Sequence, residues 1–500
     1  MPLKPDNTKI IVPRMHSAIL VEPSFGALQD AVNPARQAAA RREFLAAAQR
    51  HARAIGAAGP DDAALDKPWV ITGHQVEFYH AGVWAKVIAA DELARRSGGG
   101  VAFDLLVDHD VVDHLGIDVP VKEAGGVWQR KTLRYAENEK NLAADGLMAP
   151  DGNTLRAWRQ QIEHHITPSD TLKEFFGQWA DGSRESHTQW LSRSRQRLEQ
   201  SFGLTVHHVP TSLMCGTAAW GDFVREWCRN AAAWTDCYNR HLEAYRVRAG
   251  IKSPQHPMPN LVRSETTFEL PFWLYRVGEP RHRLFVRPYK GRFFFLHEQV
   301  EHDAEAILRG ESDLIVRPRA LTLTMFTRLY LADVFIHGIG GALYDQITDG
   351  IMGELFGQVP AYGCVSAAWL LPLGQQAENR SEHIGGLRHR RHHAWHNPQQ
   401  VIDSLSAVRT EVAELIQQRR EAVEILNDHR GTLEDFRRLH ALNAALHEKC
   451  PRPLARLDEQ IATAERTAMQ NKTLLWREYF WGMHERASLA ELVKQVRGLG

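Results

Sequence analysis

The sequence predicts an α/β protein built on a parallel sheet, with a mainly helical insertion and a C-terminal antiparallel helical coiled coil. Three observations carry this. Short apolar runs and a helix-period segment alternate over residues 69–107, Trp-, Arg- and Gln-rich helices take over between Asp151 and Val247, and heptad stepping dominates beyond residue 400.

In order along the chain, Lys9–Pro13 is expected to be a short apolar strand and Asn33 to Ala58 an alanine-rich helix. A loop, "AAGPDDAALDKP", leads to "WVIT", a short buried strand. Gly82 to Arg95 follow as a helix, with apolar residues at Val83, Val87, Ala90 and Ala94, and "SGGG" stops it. "VAFDLLVDHD" is the next strand, ending at Asp108–Asp110. Strand, helix, strand with short connections makes a βαβ unit, so a parallel sheet is the economical reading. "GLTVHHVPTS" (Gly203–Ser212) is a strand interrupting the helices that follow, and "LFVRPYKGRFFFLHE" a hairpin turning at Lys290–Gly291. The stretch from Asp313 to Gly357 supplies a strand, a helix, the apolar strand "DVFIHG", a glycine turn and another helix, read as the sheet's second half. Val401, Leu405, Val408, Val412, Leu415, Ala422 and Leu426 form one heptad seam, with Arg419 interrupting it. Leu457, Ile461, Ala464 and Ala468 form another after a turn at Pro451–Pro453. The expected organisation is core (1–150), helical insertion (151–255), second half of the core (256–380) and helical region with C-terminal tail (381–500).

Five hundred residues with 60 basic and 60 acidic side chains, and no long single-sign block, argue against a nucleic-acid surface or a polybasic membrane anchor. No stretch approaches the ~18 apolar residues of a membrane span, and the opening residues lack a signal-peptide core. The five cysteines form no Cys-x-x-Cys pair and read as reduced thiols. A cytoplasmic protein is the expectation.

In an open parallel sheet, ligands bind beyond the carboxyl ends of the strands. Gly73, His74 and Gln75 stand there after the first strand of the unit, Asp108, His109 and Asp110 after the second, and Gly338, Gly340 and Gly341 after "DVFI". A helix start offers free N–H groups and the positive end of its dipole to an anion. At "HAGVWAK", Gly82 would admit a ligand while His80 and Lys86 pair with phosphate oxygens; alternatively, His80 caps the helix and Gly82 eases a turn. "DHDVVDHLGID", with Asp113, His114 and Asp118, reads as a divalent-metal site, as carboxylates gripping an amine or hydroxyls, or as a solvated turn. His109 would face away from Asp108 and Asp110 if the strand persisted. "GIGGALYDQITDG" is a second helix-start anion site or a set of packing glycines, lacking Gly-x-Gly-x-x-Gly. "RHRRHHAWH" reads as a basic flexible loop. Serine-hydrolase and P-loop signatures are absent.

"VITGHQVEFYHAGVWAKVIAADELA" followed by "LLVDHDVVDH" resembles the bacillithiol-biosynthesis cysteine-adding enzymes. So does "LIVRPRALTLTMFTRLYLADVFIHGIGGALYDQI", and the C-terminal heptads are similar to that family's coiled coil. The resemblance implies a Rossmann-like core of class I nucleotidyl transferase type and a homodimer formed through the coiled coil. It also implies an ATP-dependent ligase that joins cysteine's carboxylate to an amino-sugar conjugate, with ATP or ADP as cosubstrate and Mg. Carried over, Gly73, His74 and Gln75 take the place of a Gly-Gln-Gln turn, Lys86 is the helix lysine, and Asp108, His109 and Asp110 are the Asp-His-Asp. Gly340, Gly341 and Tyr344 stand in the second glycine turn. His74 in place of a Gln, and His80-Ala-Gly82 in place of a Gly-Pro-aromatic turn, depart from the pattern. Chemically, a carboxylate must be activated before it condenses with an amine, most simply as an acyl-adenylate. That requires donors for phosphoryl charge and a carboxylate to hold the amine. Two alternatives stay open: a divalent-metal hydrolase using Asp108, His109, Asp110 and His114, and a non-catalytic nucleotide-binding dimer.

Overall fold

The structure is a computed structural model and describes residues 3–32, 38–112, 114–123, 125–179, 185–374, 381–402, 410–428 and 431–499. Its strands are β1 (Ala18–Glu22), β2 (Trp69–Gln75), β3 (Val101–Val107), β4 (Gly116–Lys122), β5 (Trp128–Arg134), β6 (Val206–Pro210), β7 (Phe268–Arg276), β8 (His282–Tyr289), β9 (Arg292–His297), β10 (Val300–Asp303), β11 (Leu314–Pro318), β12 (Val334–His337) and β13 (Tyr362–Ala368). The chain forms two compact units. One comprises Met1–Val119, Lys131–Leu371 and Arg477–Gly500; the other comprises Pro120–Arg130 and Pro372–Trp476.

In the first unit, Trp69, Val70, Ile71 and Thr72 are buried, as a strand covered on both faces requires. β2 is central to a six-stranded sheet ordered β1-β13-β12-β2-β3-β6, parallel except for β1 on β13. The chain steps outward on one side of β2, through β3 to β6, and then returns to the other side with β12 and β13. Numbered in chain order, the parallel strands lie 3-2-1-4-5, and their direction of progress reverses between β2 and β12. The helix Ala81–Arg96 links β2 to β3, and Ile339–Phe356 links β12 to β13. The first is buried nearly all round, with Trp84 stacked on Trp481 at 4.4 Å and basic Arg95 and Arg96 in its last turn, where they meet the negative end of the dipole.

Several expectations are corrected. Lys9–Pro13 is a turn and extended loop, with Lys9 N–H on Asp6 O and Ile10 N–H on Asn7 O. The amino-terminal strand is β1 instead, whose register on β13 is set by long-range pairing that local apolar content does not reveal. The described helix here runs Ala38–Ala54; the expected start at Asn33 lies outside the described residues. "LIVRP" (β11) does not extend the parallel sheet. It closes one edge of a five-stranded antiparallel sheet, β10-β9-β8-β7-β11. Within that sheet, Lys290 and Gly291 both take positive φ (46° and 73°), the two-residue turn that matches strand twist. The strand inside Gly203–Ser212 is β6, which joins the parallel sheet beside β3.

In the second unit, Thr410–Asn427 packs on Leu433–Lys449, and Ser381–His396 on Arg452–Leu474. The two heptad seams are therefore not each other's partners. Of the first, Val412 and Ala422 are buried, but Ile416 is buried where Leu415 was expected and Leu415 is only half-buried; Leu405 and Val408 lie outside the described residues. Arg419 on that seam is buried but fully engaged, bonding Asn443 Oδ1 at 2.6 Å and His396 O at 2.7 Å. "RHRRHHAWH" is helical, not a loop, and its Arg388 and Arg391 pair with Glu465 and Asp458. No described helix is long and apolar enough to cross a membrane.

Candidate functional site

Within the first unit, a cleft of about 660 Å³ opens at the carboxyl ends of β2 and β12, where the strand progression reverses. Open α/β sheets hold their ligands at such a reversal. Of the residues singled out from the sequence, Gly73, His74, Gln75, His80, Gly82, Lys86, His109, Asp110, Gly338, Gly340 and Gly341 line it; Asp108 and Tyr344 do not.

His80 caps the Ala81–Arg96 helix, its Nδ1 accepting from Gly82 N–H at 3.0 Å. Burial pushes this imidazole down to about 3, with Arg477 and Lys86 adding to the effect. A neutral ring whose Nδ1 accepts must carry its proton on Nε2, so His80 offers one donor rather than a positive charge. Gly82 is a packing glycine: a Cβ there would stand 2.4 Å from Ala367 O and 2.8 Å from the His80 ring. Lys86 is buried and donates to Gly73 O at 2.7 Å. Burial lowers its ammonium to about 8, against the raising influence of Asp104. His74 lies edge-on to Tyr79, and burial, reinforced by Lys86, holds it well below the ordinary imidazole range.

β3 ends at Val107, and the chain turns at once. This turn separates the Asp-His-Asp residues differently from the expected alternation. Asp108 points away from the cleft, accepting from Thr211 Oγ1 (2.8 Å), Ser212 N–H (2.8 Å) and Ser212 Oγ (2.5 Å). With the Thr211 proton committed to Asp108, the Thr211 oxygen accepts from His109 Nδ1–H at 2.7 Å, which leaves His109 Nε2 as a bare acceptor. Burial lowers His109 to about 3. Asp110 reaches the cleft, bonded by Gln75 Nε2 (3.1 Å) and Arg281 (2.8 Å). Asp108, His109 and Asp110 therefore do not converge, and the grouping able to hold a metal among the described residues lies elsewhere. Asp113 lies outside the described residues, His114 is exposed, and Asp118 accepts from Thr132 at 2.6 Å.

The second helix start differs in kind. Gly338 precedes Ile339–Phe356 with no side-chain cap, and Gly340 faces open space, with no atom within 4 Å of where a Cβ would stand. Its first N–H groups are free to meet a ligand. Gly341 is a packing position, since a Cβ would lie 2.6 Å from His337 Nδ1. His337 in turn bonds Asp345 at 2.8 Å, and Asp345 also takes Arg328 and Thr324. Burial alone would raise the Asp345 carboxyl, but Arg328, His337 and Thr324 hold it well below the usual carboxylate range. Tyr344 packs edge-on to Tyr245 and His256, away from the cleft.

Sequence reasoning missed the opposite wall. Arg281 and Arg319 both lie over the Trp273 indole, 4.7 and 4.5 Å from its ring centroid, and Arg319 also pairs with Glu269 at 2.8 Å. Arg283 and Arg477 complete the lining, and one buried guanidinium nitrogen of Arg477 has no hydrogen-bond partner. The lining thus holds Lys86 and four arginines against Asp110, which pairs with Arg281, and Glu269 behind it, which pairs with Arg319 and, at 3.7 Å, Arg283; the excess of positive charge left by Lys86 and Arg477 suits an anionic ligand. These residues come from distant segments, Arg281 and Arg283 around the start of β8, Arg319 just after β11 and Arg477 beyond the Arg452–Leu474 helix, so no local signal marks them. No protein-family model and no curated protein matches this chain.

Proposed function

We propose that the cleft binds ATP and an amino-acid carboxylate, and that the protein is an ATP-dependent ligase forming a carbon–nitrogen bond. The observation that carries this reading is the coincidence, at one sheet reversal, of an uncapped helix start with a strongly basic cleft. The 3-2-1-4-5 order of the parallel strands supports a Rossmann-like core of nucleotidyl-transferase type.

On this reading, the N–H groups at Ile339–Gly341, the His80 Nε2–H, Lys86 and Arg477 receive phosphate oxygens, and Mg2+ enters on those phosphates. Asp110 holds the acceptor amine. His109 Nε2, the bare acceptor on the same turn, accepts a hydrogen bond from that amine and orients it, and the proton the amine loses as it attacks the activated carboxyl carbon passes to solvent, because burial keeps the His109 ring neutral. Phosphoryl charge is stabilised by donors fixed before the reaction begins. Cysteine as donor, an amino-sugar conjugate as acceptor and a homodimer formed through the C-terminal helices belong to the same proposal, on the strength of the sequence resemblance.

Calorimetric titration with ATP, ADP and inorganic phosphate tests the first step, and amino-acid-dependent pyrophosphate exchange tests the second. Saturable ATP binding, weakened in Arg477→Met, together with exchange driven by one amino acid, is the expected result. Absence of both nucleotide binding and exchange would refute the proposal. Binding without exchange would reduce the protein to a nucleotide-binding module.

A further inference from the structure

Away from the cleft, the helices Ala231–Arg248 and Ile339–Phe356 bring together Cys237, His241 and Glu354, whose ligand atoms all lie within 4.8 Å of one another. Cys237 and His241 are four residues apart and share a helix face, while Glu354 faces them from the last turn of the second helix. From the thiol, imidazole and carboxylate here we infer a zinc-class metal site, independent of the ligase reading, that clamps these two helices together.

Five details favour a metal over a simple polar cluster. The donor set is mixed thiolate, imidazole and carboxylate, which borderline-soft Zn2+ takes in tetrahedral sites, here with water as the fourth ligand. The His241 ring is aimed by the backbone: it lies against Gly350, one turn before Glu354, where a Cβ would stand 2.3 Å from Nδ1. That leaves Nε2 turned to Glu354 at 3.0 Å. Glu354 divides its oxygens, Oε1 engaged by Arg240 and Oε2 on the His241 side, so Arg240 anchors the carboxylate while one oxygen faces the cluster. The negative end of the Ile339–Phe356 dipole also lies here and favours a cation. Cys237 is 1% exposed, whereas the His241 and Glu354 side chains are 27% and 43% exposed, so an ion has a path from solvent to a buried sulfur. Binding replaces the Cys237 thiol proton, which leaves to solvent, and displaces the Nε2 hydrogen of the neutral His241 ring, which shifts to the Nδ1–H tautomer.

The test titrates the full chain with Co2+ followed by optical spectroscopy, and with Zn2+ followed by metal stoichiometry and melting temperature. The expected result is one metal per chain, a thiolate-to-cobalt charge-transfer band and a zinc-raised melting temperature. Cys237→Ser should abolish the band. His241→Gln and Glu354→Gln should weaken binding by at least about tenfold, the lower edge of what even an outer-sphere partner costs. A wild-type chain with no band, or a band that survives Cys237→Ser, would overturn the assignment. Glu354 lies on the surface, so Glu354→Gln keeps the test decisive if Cys237→Ser does not fold: unchanged affinity there also overturns it. Metal bound without a thiolate band would point to the histidines of 389–396 instead.

Discussion

Two helices start at the same cleft, each announced by glycine, and they do opposite things. At Ala81 the first turn is closed: His80 takes the Gly82 N–H, and Gly82 is pressed on Ala367 O. At Ile339 the first turn is open: no side chain caps it, and Gly340 has free space in front. The glycine at Gly82 serves packing, because the helix must approach β13 more closely than a Cβ allows. The glycine at Gly340 leaves backbone donors exposed to whatever enters the cleft. A glycine in a sequence states only that a side chain is absent; what occupies the vacated space belongs to the tertiary structure.

The largest expected effect breaks the closed start. Gly82→Ala should destabilise the protein by about 3 kcal/mol, the upper range for overpacking, because its new methyl meets a backbone carbonyl that cannot rotate away. Chemical denaturation reads this directly, and a variant within about 0.5 kcal/mol of wild type would show that the helix can shift outward. Gly340→Ala should do the reverse. With nothing within 4 Å, the methyl is tolerated and stability rises by about 0.5–1 kcal/mol, while ATP or phosphate affinity falls at least about tenfold, or 1.4 kcal/mol. Unchanged affinity would remove the open helix start from the binding site.

His80→Ala sharpens the same contrast more gently. Losing the cap should cost about 1 kcal/mol, and the freed Gly82 N–H gives the first helix start a resemblance to the second. Near neutral pH the smallest effect is that of protonation. His80 titrates at about 3 in the fold against 6.5 when unperturbed, so between those values the unfolded chain holds a proton that the folded chain refuses. Stability is therefore complete above about pH 6.5 and declines as pH falls towards 3. At pH 6 the His80 share is under about 1 kcal/mol, and in His80→Gln the acid slope should be shallower by up to one proton. An identical slope would mean that the ring is protonated within the fold.

The strand ends were the legible part of the site. Apolar runs stopping at Gly73 and at Gly338 mark sheet termini by composition alone, and the residues that follow line the cleft. His109 was harder. Extending β3 by alternation sets it opposite Asp110, but the strand ends at Val107 because the Asp108 carboxylate is captured by Thr211 and Ser212 after β6. That capture joins residues more than 100 positions apart, and no window of sequence contains it.

The sequence by itself determined the alternation of buried strands and helices, the hairpin at Lys290–Gly291 and the polar turns at the ends of β2 and β3. Periodicity and turn chemistry are local, acting within about ten residues. Only the tertiary structure decided that β11 leaves the parallel sheet, that β6 enters it and that the two heptad seams choose other partners. It alone brings Arg281, Arg319 and Arg477 into a cleft begun by Gly73. Strand pairing and charge clustering are settled by which distant surfaces bury each other, and the same local pattern serves many such pairings equally well.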